Sequence, residues 1–327
     1  MTLPAFKEIL LILLILNIFS CQEKKENRGA AIETEKIVLE ETTLIVLGNV
    51  QDAGSPHIGC KKSCCKALFI KPDKSRKVVS LGVVDPVSQK KFLFDATPDM
   101  TEQLKILKNY LPKNTSETPD GILLTHAHIG HYTGLMYLGR EALGAKETPV
   151  YTMPGMSTFL KENGPWNQLI SLGNIKLQSL KDKESITLTS TIRVVPFLVP
   201  HRDEYSETVG FKIIGPKKTA LFIPDIDKWY KWETDIREEI KKVDYAFLDA
   251  GFFSEKEINN RDISEIPHPT VLESMALFDD LTEVEREKVW FIHMNHTNPM
   301  LNPDSEESKA VLSKGYHIAR FEDRFTL

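Results

Sequence analysis

Thr125-His126-Ala127-His128-Ile129-Gly130-His131 begins where the apolar run Gly121-Ile122-Leu123-Leu124 stops. An apolar run of this kind reads as a buried strand, and a strand end is where side chains converge in a cleft outside a sheet. Three imidazoles within this stretch, in a chain with nine histidines, exceed what capping or surface roles require. They point to metal ligation. His126 and His128, two residues apart, face the same way off an extended segment, and His131 opens the following helix and meets the same cavity from another side.

Outward from this box, short apolar runs bounded by turn residues predict strands at Thr43 to Gly48, Val78 to Val84, Lys91 to Asp95 and Gly121 to Thr125. A helix is predicted over Met100 to Leu111 and another over Tyr132 to Leu143. The second half repeats the style, with strands at Ile192 to Val199, Val209 to Ile214, Thr219 to Ile223, Tyr245 to Leu248 and Val289 to Ile292. Helices are predicted near Thr234 to Lys242 and Val271 to Phe278. No linker divides the halves, so residues 41–327 read as one layered α/β domain of two similar parts.

With 41 basic against 46 acidic residues and a net charge of −5, the 327-residue chain lacks the basic field of a nonspecific nucleic-acid binder. Nucleic acid is not an expected partner. The N-terminus carries Lys7 and then Ile9-Leu-Leu-Ile-Leu-Leu-Ile-Leu16, too short to span about 30 Å of hydrocarbon. That is the h-region of a signal peptide. Ser20-Cys21 at its end is similar to the bacterial lipoprotein cleavage box, which implies a signal peptide over 1–20 and a lipidated Cys21. The polar stretch to residue 40 follows as a tether. The expectation is an exported protein held at a membrane by its lipid.

The histidine box resembles the His-x-His-x-Asp-His hallmark of the metallo-β-lactamase fold superfamily. The rest of that pattern follows in order: Asp95 after Phe92-Leu-Phe94, His201 in Val199-Pro-His-Arg-Asp-Glu204, Asp225 in Phe222-Ile-Pro-Asp225, and His293 in Trp290-Phe-Ile-His293. The resemblance implies a four-layer αββα sandwich. It also implies His126, His128 and His201 as ligands of a first metal, Asp225 as the bridging carboxylate, His131 and His293 as ligands of a second metal, and Asp95 as the acid orienting a ligand imidazole. Gly130 departs from the pattern, because it stands where hydrolytic members place Asp. The second site is then expected to be weak, empty, or completed by a nearby acid such as Asp249.

Cys60-Lys-Lys-Ser-Cys64-Cys65 lies in the first loop, after Gly48-Asn-Val-Gln-Asp-Ala-Gly54, and His296 falls three residues past His293. Three thiols and an imidazole make a closed tetrahedral zinc set, whereas a disulfide with a free thiol would use adjacent Cys64 and Cys65 poorly. A cysteine-rich first loop with a second late histidine is similar to the phosphonate-pathway cyclic phosphodiesterase branch. Leu47-Gly-x-x-Gln-Asp-Ala-Gly54 and Asn295-His-Thr-Asn-Pro299 look more like the family of pyrroloquinoline quinone biosynthesis protein B. The cysteine spacing differs from both.

His268, between two prolines, has a counterpart in the phosphodiesterase branch that assists the leaving group. The residue itself reads equally well as an exposed loop histidine. Arg202, Glu204 and Arg261 are candidates for substrate contact or solvated charges, Trp229 and Trp232 for pocket lining or helix packing, and His57 and His317 are taken as structural. The leading expectation is a zinc hydrolase acting on a phosphodiester or related small ester. Its metals would be one structural zinc and one or two catalytic ions, with Mn or Fe possible there. Asp225 would hold the attacking water and His268 would serve as acid. The alternatives are an iron-dependent oxygenase-type step like that of the quinone-biosynthesis family, or a lipoprotein that keeps the fold only for binding.

Overall fold

Alternation along the strands dictates the layers. In β1 (Thr43–Gly48), Leu44 and Val46 pack with Phe211, Phe222 and Phe247, whereas Ile45 and Leu47 turn to the opposite face and meet Met100 and Leu107. In β10 (Thr219–Ile223), Ala220 and Phe222 face inward while Leu221 and Ile223 meet Ile236, Ile240 and Val271. A period of two on strands that are apolar on both faces requires cover on both sides. The result is helix, sheet, sheet, helix. This computed structural model describes residues 39–257 and 266–327. The signal segment 1–20, Cys21 and nearly all of the tether lie outside the described residues, as does Arg261.

The first sheet has the order β14-β1-β2-β3-β4-β5-β6 and the second β13-β12-β11-β10-β9-β8-β7. The strands are β2 Ser80–Asp85, β3 Lys90–Phe94, β4 Gly121–Leu123, β5 Thr148–Thr152, β6 Ile175–Ser179, β7 Ile186–Thr187, β8 Arg193–Leu198, β9 Val209–Ile214, β11 Tyr245–Asp249, β12 Val289–Ile292, β13 His317–Ile318 and β14 Arg324–Thr326. Each sheet joins an antiparallel part to a parallel part: β3 to β6 run parallel in one, β10 to β13 in the other. The two similar halves expected from the sequence are these two sheets.

Parallel strands bring their carboxyl ends to one edge, and that edge is where the site residues collect. Asp95 follows β3, His126 follows β4, Asp225 follows β10, Asp249 ends β11 and His293 follows β12. The longest correction concerns Tyr132 to Leu143. Only Ile129–Tyr132 is α-helical, and Thr133–Leu138 is a 3₁₀ turn. Gly134 explains the departure. Its N–H donates to Ala96 O at 2.8 Å, and a Cβ there would lie 2.2 Å from Thr97 O, so this segment is pressed against the chain leaving β3. The helices Pro154–Glu162 and Glu306–Ser313 were not anticipated, although Pro154 at a first turn and the Ser305 side-chain cap are start signals.

Candidate metal centre

Asp95 fixes the start of the histidine box. Its Oδ1 accepts the Thr125 N–H at 2.8 Å, and its Oδ2 accepts from Thr125 Oγ1 at 3.0 Å and from His131 Nδ1 at 2.8 Å. Backbone at φ 66° aims this fully buried carboxylate across the strand end. With Nδ1 of His131 committed as donor to Asp95, Nε2 is the nitrogen that points into the cluster. Asp95 thus lies against the His131 imidazole, beside the box for which the resemblance implies an orienting acid.

One donor set is His126, His128, His201 and Asp225, whose ligand atoms all lie within 4.8 Å of one another. His126 Nε2 is 3.3 Å from Asp225 Oδ2, and His201 Nε2 is 3.2 Å from Asp225 Oδ1. His128 Nδ1 and His201 Nε2 face each other at 3.3 Å. Two ligands of a tetrahedral ion at about 2.0–2.1 Å stand about 3.3 Å apart, so this spacing is that of a shared cation. The outer nitrogens are held by carboxylates: His128 Nε2 by Glu204 at 3.0 Å and His201 Nδ1 by Asp227 at 3.2 Å. Glu204 thus supports a ligand imidazole. Arg202 is exposed, 4.0 Å from Glu204.

Around Asp225 a second set gathers: His131, His293, Asp225 and, unexpectedly, Asp52. Asp52 Oδ1 lies 3.1 Å from His131 Nε2 and 3.2 Å from His293 Nε2. Asp249, expected as the nearby acid, belongs to a third donor set with Asp225, His268 and His293. Its Oδ2 accepts from His268 Nδ1 at 2.7 Å, and its Oδ1 accepts Gly251 N–H at 2.9 Å and faces His293 Nδ1 at 3.4 Å. His268 is buried, not an exposed loop histidine, and its Nδ1 also sits 3.1 Å from Asp225 Oδ1.

Electrostatics follow from this crowding. Burial depresses His131, but the Asp52 and Asp95 carboxylates override it and hold its pKa well above the ordinary range. Burial likewise opposes His201 and His293, yet Asp225 leads the groups that raise each to about 9. His126 goes the other way, driven well down by burial and by charge on His131. Asp225 is held well below the usual carboxylate range despite its burial, by His201, His268 and His293. Two buried atoms at the centre, His126 Nε2 and Asp225 Oδ1, have no hydrogen-bond partner. Buried polar groups are rarely left so, and here both belong to the donor set that fits a metal.

The cysteine cluster forms on the first loop. Cys60 Sγ is 3.6 Å from Cys64 Sγ, and Cys64 Sγ is 3.9 Å from Cys65 Sγ. Sulfur ligands at about 2.3 Å from a tetrahedral zinc stand about 3.8 Å apart. Cys60, Cys65 and His296 form a set with donors all within 4.8 Å of one another, and Cys64, expected as the fourth ligand, is not part of it. All three thiols are free. Burial and the neighbouring thiols push Cys64 to about 12, while burial, His57 and Lys62 push His296 down to about 4, so its imidazole is neutral and ready to ligate. His57, read as structural, stacks on His296 with ring centroids 4.4 Å apart and donates its backbone N–H to Cys65 Sγ at 3.3 Å. His317 is structural, stacked on Trp290 at 4.3 Å. Trp229 and Trp232 are packing residues: Trp229 Nε1 donates to Ser274 in helix Val271–Leu277, and Trp232 stacks on Phe197.

Residues 90–294 match the beta-lactamase superfamily domain. The Coenzyme PQQ synthesis protein B of Methylorubrum extorquens strain PA1 is 23% identical over 297 residues, covering 84% of this chain and 97% of the relative. That of Gluconobacter oxydans strain 621H is 25% identical over 307 residues, covering 86% and 97%. Among solved structures, Zn(2+)-bound PqqB from Methylobacterium extorquens superposes with a TM-score of 0.70 at 21% identity, covering 87% of this chain and 100% of that one. A diphosphatase from the PhnP family superposes at 0.59 and 22% identity, covering 88% and 97%. These likenesses show the αββα fold. A superfamily match over most of the chain, together with a histidine and aspartate cluster at the strand ends, establishes that this chain belongs to the metallo-β-lactamase superfamily.

Proposed function

We propose that this protein is a metal-dependent hydrolase of a phosphodiester or closely related small ester. The observation that carries the reading is the Asp249–His268 pair set against Asp225. Burial alone would discharge His268, but Asp249 and Asp225 raise its pKa well above the ordinary histidine range. Protonated and held at Nδ1 by the 2.7 Å bond to Asp249, the ring would present Nε2–H as its second donor. Such a group donates a proton to a leaving oxygen. Alkoxide leaving groups need that proton.

His126, His128, His201 and Asp225 would hold one ion, with Asp225 shared toward His131 and His293. Zinc bound in such a set lowers the pKa of its water toward about 7 and polarises a phosphoryl oxygen. The chain's own contribution is positional. Asp225 orients the attacking water, Asp95, Asp227 and Glu204 fix the imidazoles, and the Asp249–His268 pair delivers the proton. The Cys60, Cys64, Cys65 and His296 set would take a structural zinc.

Leaving-group dependence tests the reading. In His268→Ala, turnover of a dialkyl phosphodiester should fall about 10²-fold or more, whereas a p-nitrophenyl diester, whose leaving group departs without a proton, should be hydrolysed nearly as before. Equal loss on both substrates would remove His268 from the acid role. A second reading rests on the curated relatives named for coenzyme PQQ synthesis, which the chain matches over 84% of its length. A histidine and carboxylate set accepts iron as well as zinc, and iron in the purified protein would favour an oxygenase-type step. Either chemistry is proposed to act outside the cytoplasm, on a small-molecule substrate, in a chain tethered through Cys21.

A further inference from the structure

We infer that Asp52 is the missing ligand of the second metal, supplied from the first loop because residue 130 carries no side chain. This rests on the metal-dependent reading above. Residues 52 and 130 fit each other reciprocally. A Cβ built on Gly130 would lie 2.6 Å from Asp52 Cα, 2.7 Å from its Cβ and 2.6 Å from its carboxyl carbon. The space that a side chain at 130 would enter is filled by Asp52. Gly130 is not among the residues with positive φ, so its backbone conformation does not require glycine. Space does.

The carboxylate is aimed, not adventitious. Asp52 Oδ2 accepts the Gly130 N–H at 3.3 Å, which turns Oδ1 toward the inner nitrogens of both His131 and His293. Four donors from four separate segments, Asp52, His131, Asp225 and His293, then lie within 4.8 Å of one another. The approach of Asp52 is built into the sheet edge. Gln51 N–H donates to Met294 O at 2.9 Å, Met294 N–H donates to Asn49 O at 2.8 Å, and Val50 bridges both Val78 and Met294. These bonds run the chain leaving β1 alongside the residue after His293, so Asp52 arrives beside that imidazole. The acid of the second site has moved from the histidine box to a loop 78 residues upstream.

The test is zinc stoichiometry and affinity of the full mature protein, stripped with chelator and titrated with Zn2+ alone. The wild type should take up three equivalents. Asp52→Asn, which keeps the shape of the side chain, should lose the weakest equivalent and retain two. Gly130→Ala, which keeps every donor side chain but displaces Asp52, should weaken that same equivalent about 10-fold or more. Unchanged third-equivalent affinity in both variants would overturn the assignment of Asp52. A wild type that binds zinc only at the cysteine cluster would overturn the metal-dependent reading itself.

Discussion

His268 and Asp249 show how a single pair of side chains converts position into chemistry. Asp249→Asn replaces the acceptor of the 2.7 Å bond with a neutral group, and the variant should lose about 10–100-fold in turnover of a dialkyl diester while keeping its zinc. Loss of a zinc equivalent would instead make Asp249 a ligand. Protons also report on the metal ligands. With His201 and His293 at about 9 in the metal-free chain, each imidazole carries a proton near neutrality and must lose it to bind. Below that pKa a falling pH therefore opposes metal, so zinc affinity should rise with pH, and zinc added to weakly buffered metal-free protein at about pH 7 should release protons. A titration without proton release would contradict these assignments. At this scale the histidines were legible because His126 and His293 close local apolar runs and His128 and His131 follow His126 within five residues. Asp52 was not, since its partner His131 lies 79 residues away and the only mark at position 130 is a side chain that is not there.

Strands with strong apolar runs were read because a period of two and β-branched runs are local signals, whereas β5, β6, β7, β13 and β14 were missed. β9, β10 and β12 fall on their predicted residues. Short helices read less well, because tertiary contacts decide them: Gly134 closes on Ala96 and Thr97 and turns a predicted helix into a 3₁₀ segment. The first loop is the element on which the account depends most. It carries Asp52 at one end and Cys60, Cys64 and Cys65 at the other, with His57 bonded to Cys65 between them. Cys65→Ser should remove the structural zinc, measured as one equivalent, and also weaken the zinc that contacts Asp52. Retention of both would separate loop from site. In the sandwich between the sheets, Phe222→Ala removes a fully buried ring and should cost about 3–5 kcal/mol in chemical denaturation.

Across the whole molecule, two sheets of similar design place their parallel carboxyl ends along one edge, and the candidate metal donors of both halves meet there: His126, His128 and His131 from the first, His201, Asp225 and His293 from the second. A metal held at Asp225 would tie the halves together, so chelation should lower the thermal midpoint and zinc should restore it. The N-terminal reading makes a separate prediction at this scale. Cys21→Ala should release the chain from the membrane fraction of a bacterial host without changing its activity, and continued membrane association would remove the lipid tether from the account. Among the described residues, no helix is long and apolar enough to cross a membrane. The central claim is metal-dependent hydrolysis, and it is tested most directly by turnover of a phosphodiester before and after zinc is returned to the stripped protein. The account predicts no turnover by the metal-free chain and recovery as the equivalents beyond the cysteine cluster fill. Fully loaded protein that hydrolyses the diester no faster than the stripped chain would contradict it.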